Sequence, residues 1–243
     1  LRDVYKRQGL STLLVRWSNG MDMRTLLSAQ GFDTDSLSDD QLAVYHTLFR
    51  RRDVRREFAG EVVDRERLMR VLAAAHAAPS VGLSQPWDFH IIQNPDRLQQ
   101  FADHVAGRRA EFAAKLEGER RETFNPIQIE GIVDSGTGIV VTYDPTRGGK
   151  NILGRDTVDD TGLMSVALAI QNLWLAATAE GLGVGWVSFY HEDFLADFVG
   201  VEAPVRPVAW LCIGPVTHLA EERDLEKFGW RKGLALDEVV HWG

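Results

Sequence analysis

The chain has 243 residues, 44% hydrophobic and 26% charged, with 27 Lys and Arg against 35 Asp and Glu for a formal charge of -8. That balance excludes a disordered, collagen-like or coiled-coil chain, and the acidic excess argues against broad nucleic-acid or anionic-membrane binding. One cysteine, Cys212, cannot close an intramolecular disulfide, so stability must come from a packed core, and a reducing cytoplasm is the expected compartment.

Residues 1–20 are expected to be a non-native or unstructured leader, the sequence beginning either inside a longer frame or with a non-native extension, and Met21 or Met23 is a candidate native start. Leu10 to Trp17 is too short and too interrupted by Ser11, Thr12 and Arg16 for a signal sequence. No repeat and no Pro/Gly/Ser-rich linker divides residues 21–243, which predicts a single domain. Behind the capping run Ser38-Asp39-Asp40, the apolar residues Leu42, Val44, Tyr45, Leu48 and Phe49 predict a helix over 39–49. A second helix is expected over 64–78, capped by Asp64, striped by Leu68, Val71, Leu72 and Ala75, and stopped by Pro79. Ser80 to Pro86 then reads as a loop and Trp87 to Gln93 as a strand ending at Asn94-Pro95-Asp96.

Residues 96–122 have helical propensity, and nine of the fifteen from Arg108 to Glu122 are charged. Such a run reads first as a solvated helix face. Ile139-Val140-Val141 marks a buried strand within 129–143. Gly162 to Gly181 is apolar almost all round, but Ser165, Gln171, Asn172, Thr178 and Glu180 interrupt it. A fully buried core helix or a dimer-interface helix therefore fits better than a membrane span. Gly183 to Tyr190 and Val208 to Gly214 read as two further strands. The pattern is α+β: helices around a small central sheet, antiparallel or mixed, with one long central apolar helix.

The seven histidines are scattered with neither a zinc-protease pair nor a thiol partner, so no metal site is expected. Gly181-Leu182-Gly183-Val184-Gly185 follows a helix and precedes a strand, the reverse of a dinucleotide-binding fingerprint. More informative are the five arginines in the seven residues from Arg50 to Arg56, around the single carboxylate of Asp53. They read either as a solvated basic helix end or as a bidentate grip on a phosphate. Trp230-Arg231-Lys232 is a second candidate for that grip. The uncharged loop from Pro79 to Trp87 offers backbone N–H groups and the Ser80 and Gln85 side chains to a flat heteroaromatic ring.

These stretches together resemble the nitroreductase superfamily of FMN proteins: an Arg-Arg-x-x-Arg opening, a Pro-Ser-x-x-x-x-Gln-Pro-Trp loop and a late Trp-Arg, running from about Phe49 to Arg231. Four stretches are most similar to the branch that fragments reduced FMN with O2 to 5,6-dimethylbenzimidazole, the lower ligand of cobalamin, and erythrose 4-phosphate. They are Arg51 to Arg55, Pro79 to Trp87, Gly154 to Thr157 and Gly181 to Ser188. The resemblance implies a nitroreductase-like fold and a homodimer with two interfacial FMN sites. It implies phosphate contacts from Arg51, Arg55 and Arg231, and flavin contacts from Pro79, Ser80, Gly82, Leu83 and Gln85. Arg52, Asp53, Val54, Gly185, Trp186, Val187, Ser188 and Trp230 are the further expected cofactor-site residues.

Reductases of the superfamily usually carry Ser or Thr where this chain has Asp53, so the resemblance assigns Asp53 and Ser188 to fragmentation, Asp53 as a base. A lid over about 108–130 would keep the site dry and leave no room for a nicotinamide, making FMNH2 a substrate delivered by a separate flavin reductase. The alternatives are an NAD(P)H-dependent nitroreductase or flavin reductase that retains its FMN, and a flavin-binding protein without turnover.

Overall fold

The computed structural model describes residues 22–29 and 31–243; the expected leader, and Met21 as a start, lie outside the described residues. Two short helices open the fold, α1 (Met23–Ala29) and α2 (Asp39–Arg50), followed by α3 (Arg65–His76). Ser38 closes a capping box with Gln41 at the start of α2, and the Asp64 side chain caps α3 by accepting from the Arg67 N–H. Strand β1 (Trp87–Ile92), helix α4 (Pro95–Ala114), helix α5 (Gly118–Phe124) and strand β2 (Thr137–Tyr143) come next. Helix α6 (Thr161–Ala179), β3 (Leu182–Val187), α7 (Glu192–Val199), β4 (Arg206–Pro215) and the single turn α8 (Asp224–Lys227) complete the order.

The four strands form one antiparallel sheet in the order β1-β2-β4-β3. Every residue of β2 is buried because helices cover both faces of the sheet, which is why its sequence reads as a continuous apolar run. Alternate side chains divide between two cores. Ile139, Val141, Ala209, Leu211 and Ile213 pack with Leu68 and Val71 of α3 and Val166, Ile170 and Leu173 of α6. Val140, Trp210 and Cys212 face the other way, onto Leu98, Phe101 and Val105 of α4 and Leu195 of α7. There the Trp210 and Phe101 rings stack with centroids 3.8 Å apart.

Three expectations change. The helix expected over 96–122 is broken: α4 stops at Ala114, and Gly118 takes a left-handed φ of 50° that turns the chain into α5 and tucks Phe124 into the protein. The strand expected to reach Tyr190 leaves the sheet after Val187, its last residue paired to β4. Phe189 instead packs edge-on against Phe112, 5.4 Å between centroids. Helix α6, long and apolar enough to cross a membrane, is not fully buried, which sets aside the first of its two expected roles, a fully buried core helix, and leaves the second, an interface helix, open. One face fills the first core, while Met164 and Leu168 on the other remain exposed.

Candidate functional site

The end of α2 sets the site in place. Arg51 terminates the helix in an extended conformation, and the chain then runs parallel to β3, with a bridge from Asp53 to Val184 and a Val54 N–H bond to the Val184 carbonyl at 3.0 Å. Val54 anchors this segment in the core. The neighbouring Asp53 is thereby turned toward a cavity of about 790 Å3 whose wall includes Arg51, Arg52, Asp53, Arg55, Trp186, Ser188 and Arg231.

Two fixed donors hold the Asp53 carboxylate. Its Oδ1 accepts from the Trp186 N–H at 3.1 Å, and its Oδ2 lies 2.7 Å from Arg55 Nη2. The Arg55 guanidinium also donates to the carbonyls of Trp186 and Val54. It lies across Gly185, where a Cβ would fall 2.2 Å from Nη1, so only glycine admits this crossing. Asp53 is open to the cavity but enclosed by protein elsewhere. That enclosure raises its pKa above the ordinary aspartate value, against the lowering effects of Arg55, the Trp186 N–H and Arg51, and with a smaller upward push from Asp224.

The arginines of the cluster do different things. Arg52 donates to four backbone carbonyls, those of Phe49, Arg51, Ala220 and Glu221, and so ties the end of α2 to the segment before α8. Arg55 is buried and engaged with Asp53 and backbone. Arg51 lies 5.0 Å from the Trp174 ring centroid and lines the cavity; burial pulls its pKa down, although an arginine stays cationic near neutrality. Arg223, Arg231 and Lys232 reach the same cavity from the C-terminal segment. Arg51, Arg223, Arg231 and Lys232 thus line the cavity as cations, while Arg55, expected as a phosphate contact, is engaged with the Asp53 carboxylate.

Ser188, one residue beyond the last sheet pair, is exposed and lines the cavity. Val187 is fully buried and Gly185 serves to admit Arg55, so both support the wall from behind. Trp230 also stands outside the cavity wall. It is half-buried against Phe124 of α5, ring centroids 5.9 Å apart, immediately before Arg231. Pro79, Ser80, Gly82, Leu83 and Gln85 do not line this cavity within the same chain.

Of the segment expected as a lid, Ile127, Gln128 and Ile129 line the cavity. It is pinned: Arg109 donates to the Asn125 and Ile127 carbonyls, Arg56 Nε to Gln128 Oε1, and Gln128 Nε2 to the Arg55 carbonyl. Phe112, Phe124 and Phe189 form an aromatic cluster beside Ser188.

Sequence reasoning missed Tyr45, Leu48 and Phe49 as site residues, having used them only as the apolar spacing that marks a helix over 39–49. No residue of α2 is buried, and these three line the cavity. It also missed Phe189 and the stretch from Glu222 to Glu226, whose charged composition carried no distinguishing signal. Among the described residues no group of three or more His, Cys, Asp or Glu could hold a metal ion.

A family model described as the nitroreductase family matches residues 48–215. A 5,6-dimethylbenzimidazole synthase from Rhodospirillum rubrum is 36% identical over 181 residues, covering 74% of this chain and 85% of that protein. Another from Rhodobacter capsulatus is 32% identical over 186 residues, with 76% and 88% covered. Among solved structures, a BluB-like flavoprotein from Clostridium difficile 630 superposes with a TM-score of 0.61 at 21% identity, covering 82% of this chain and 98% of that one. Oxidized iodotyrosine deiodinase bound to FMN and 3-iodo-L-tyrosine also gives 0.61 at 21% identity, with 72% and 91% covered. At that identity the two structures speak to the fold alone.

Proposed function

The chain belongs to the nitroreductase family, and from that premise we propose that it is an enzyme forming 5,6-dimethylbenzimidazole from reduced FMN and O2, with erythrose 4-phosphate as the second product. One observation carries the proposal: an aspartate, Asp53, stands in the cavity wall with both carboxylate oxygens held, where reductases of the superfamily usually carry Ser or Thr.

The residues around the cavity fit FMN. Its volume of about 790 Å3 lies in the range of small-molecule sites, roughly 300–1,000 Å3. Arg51, Arg223, Arg231 and Lys232 supply cations for a phosphate, while Leu48, Phe49, Ile129 and Phe189 supply apolar surface for a flat ring. When bound in reduced form, FMN supplies electrons to O2 and the carbon skeleton that is cut. Asp53, its pKa raised above the ordinary aspartate value, would take up a proton released in carbon-carbon cleavage and hand it on. Arg55 and the Trp186 N–H fix the direction from which it does so. Ser188 presents a hydroxyl with no hydrogen bond to another described residue, free to donate to bound ligand. Ile127 to Ile129 and the aromatic cluster around Phe189 limit water. In this reading FMNH2 arrives from a separate flavin reductase.

A homodimer is supported by two surface features. Met164 and Leu168 on α6 lie with Val44, Tyr45 and Leu48 of α2 as exposed apolar side chains on helices that pack together. The Pro79–Gln85 loop is also held firmly while pointing outward. Leu83 is 79% exposed with φ 53°, and Gln85 has φ 44°. Arg147 bonds to the Gln85 and Trp87 carbonyls, Ser80 Oγ accepts from the Gln85 N–H, and Ser165 Oγ accepts from the Val81 N–H. Strain maintained in an exposed loop suits a role in the partner copy's cavity, which would return the loop residues to the flavin.

The test is to bind FMN anaerobically, reduce it photochemically, admit O2 and separate the products by chromatography against authentic 5,6-dimethylbenzimidazole. The product should form with the native chain and be lost with Asp53→Asn. FMN recovered intact, with hydrogen peroxide released, would instead indicate a reductase or a flavin-binding protein.

A further inference from the structure

Helix α5 carries an arginine that touches neither core nor cavity. Arg120 Nη1 donates to the Trp230 carbonyl at 3.2 Å, and its guanidinium carbon lies 3.6 Å from the Trp230 ring centroid. One residue therefore grips both the backbone and the ring of Trp230. Phe124 of the same helix also packs against that ring, centroids 5.9 Å apart. Trp230 also donates its own N–H to the Leu225 carbonyl at 2.8 Å, as Arg231 does at 3.3 Å, which closes the turn after α8. The backbone that presents Arg231 and Lys232 to the cavity is thus fixed by α8 on one side and α5 on the other.

We propose that Arg120 is a positioning residue for the phosphate grip: by clamping Trp230 it aims Arg231 into the cavity. This rests on the reading of Arg231 as a phosphate contact. The chemistry suits the task. An exposed arginine side chain is costly to immobilise, and a cation-π contact together with a hydrogen bond fixes it where either alone would not. The same helix reaches Phe189, next to Ser188, through Phe124, so the clamp joins the two ends of the site.

The experiment compares dissociation constants for oxidized FMN and riboflavin, by flavin fluorescence, in the native chain, Arg120→Gln, Arg231→Ala and the double variant. Losing the clamp should weaken FMN about five- to tenfold while leaving riboflavin unchanged, the size expected of one cation-π contact plus one charge-assisted hydrogen bond. In the Arg231→Ala background, Arg120→Gln should have no further effect on the FMN-to-riboflavin ratio, because its action passes through Arg231. Arg120→Lys, which keeps a cation over the ring, should recover part of the ratio. A ratio unchanged in Arg120→Gln but reduced in Arg231→Ala would overturn the clamp alone. A ratio unchanged in Arg231→Ala would overturn the phosphate assignment and the clamp together. Additive effects in the double variant would show Arg120 acting independently of Arg231 and also defeat the proposal.

Discussion

Arg55 and Gly185 occupy one another's space: a Cβ on the glycine would sit 2.2 Å from Arg55 Nη1 and equally close to the Val54 carbonyl oxygen. The absence of a side chain in β3 is what lets a buried guanidinium cross the strand and reach Asp53. Gly185→Ala should therefore push Arg55 off its carbonyl partners and leave a buried cation poorly satisfied. We expect a loss of about 1–3 kcal/mol, the usual range for overpacking, read as a lower urea midpoint at unchanged slope. A variant as stable as the native chain would mean that Arg55 has another place to go.

Asp53 gives a stability signature of the opposite sign. Because burial raises its pKa, the folded chain binds its proton more tightly than the unfolded chain does. Stability must then fall as pH rises from the ordinary aspartate value through the raised one, and the penalty persists at neutral pH. Asp53→Asn, a neutral isostere of the protonated form, should lack this pH dependence, so the melting temperature of the native chain should fall relative to that of the variant as pH rises from 3 to 7. Thermal melts over that range check it. Parallel pH profiles for the two chains would mean that the bonds from Arg55 and Trp186 offset burial.

Much of this arrangement is legible in the sequence. Ile139-Val140-Val141 shows a strand with both faces covered, and the Asp64 cap and Pro79 stop bracket α3 closely. Asp53, Ser188 and Arg231, singled out from stretches far apart in the chain, line one cavity. The division of labour among the arginines is not legible, because Arg51, Arg52 and Arg55 differ only in which carbonyls and carboxylates tertiary structure brings within reach. Nor is the break between α4 and α5: Lys115 to Glu117 has ordinary helical propensity, and the turn depends on the conformation of Gly118 and the burial of Phe124. Tyr45, Leu48 and Phe49 are not legible as site residues, because apolar helical spacing looks the same whether it faces a core or a ligand cavity.

The loop carrying Ser188 is held at its far end by histidine. The His191 N–H donates to His104 Nε2 at 3.1 Å, and the His104 ring stacks on Phe194 with centroids 3.7 Å apart. That bond requires Nε2 without a proton. Burial lowers the His104 pKa, with His191 and Arg108 acting in the same direction and Glu111 opposing them. The associated stability is present above the ordinary histidine value, about 6.5, and is lost as pH falls below it. His46 and His90 are also shifted down, so the comparison must be with His104→Asn. The native chain should lose more melting temperature than this variant between pH 7.5 and 5, with faster hydrogen exchange at Phe189 to His191. Equal losses would remove His104 as the acid-sensitive point.

The exposed face of α6 makes the last prediction. Met164 and Leu168 lie one helical turn apart, 55% and 47% exposed, on a helix whose opposite face is packed in the core. Leu168→Glu adds a charge where the homodimer would bury apolar surface but disturbs no core contact. Light scattering at micromolar concentration should find the native chain as a dimer and the variant shifted toward monomer, with an unchanged far-UV spectrum. The monomer should also bind flavin more weakly, because the Pro79–Gln85 loop would no longer reach a second cavity. If Leu168→Glu remains dimeric, the interface lies elsewhere. If it becomes monomeric yet binds flavin as tightly as the native chain, the loop of the partner copy has no part in the site.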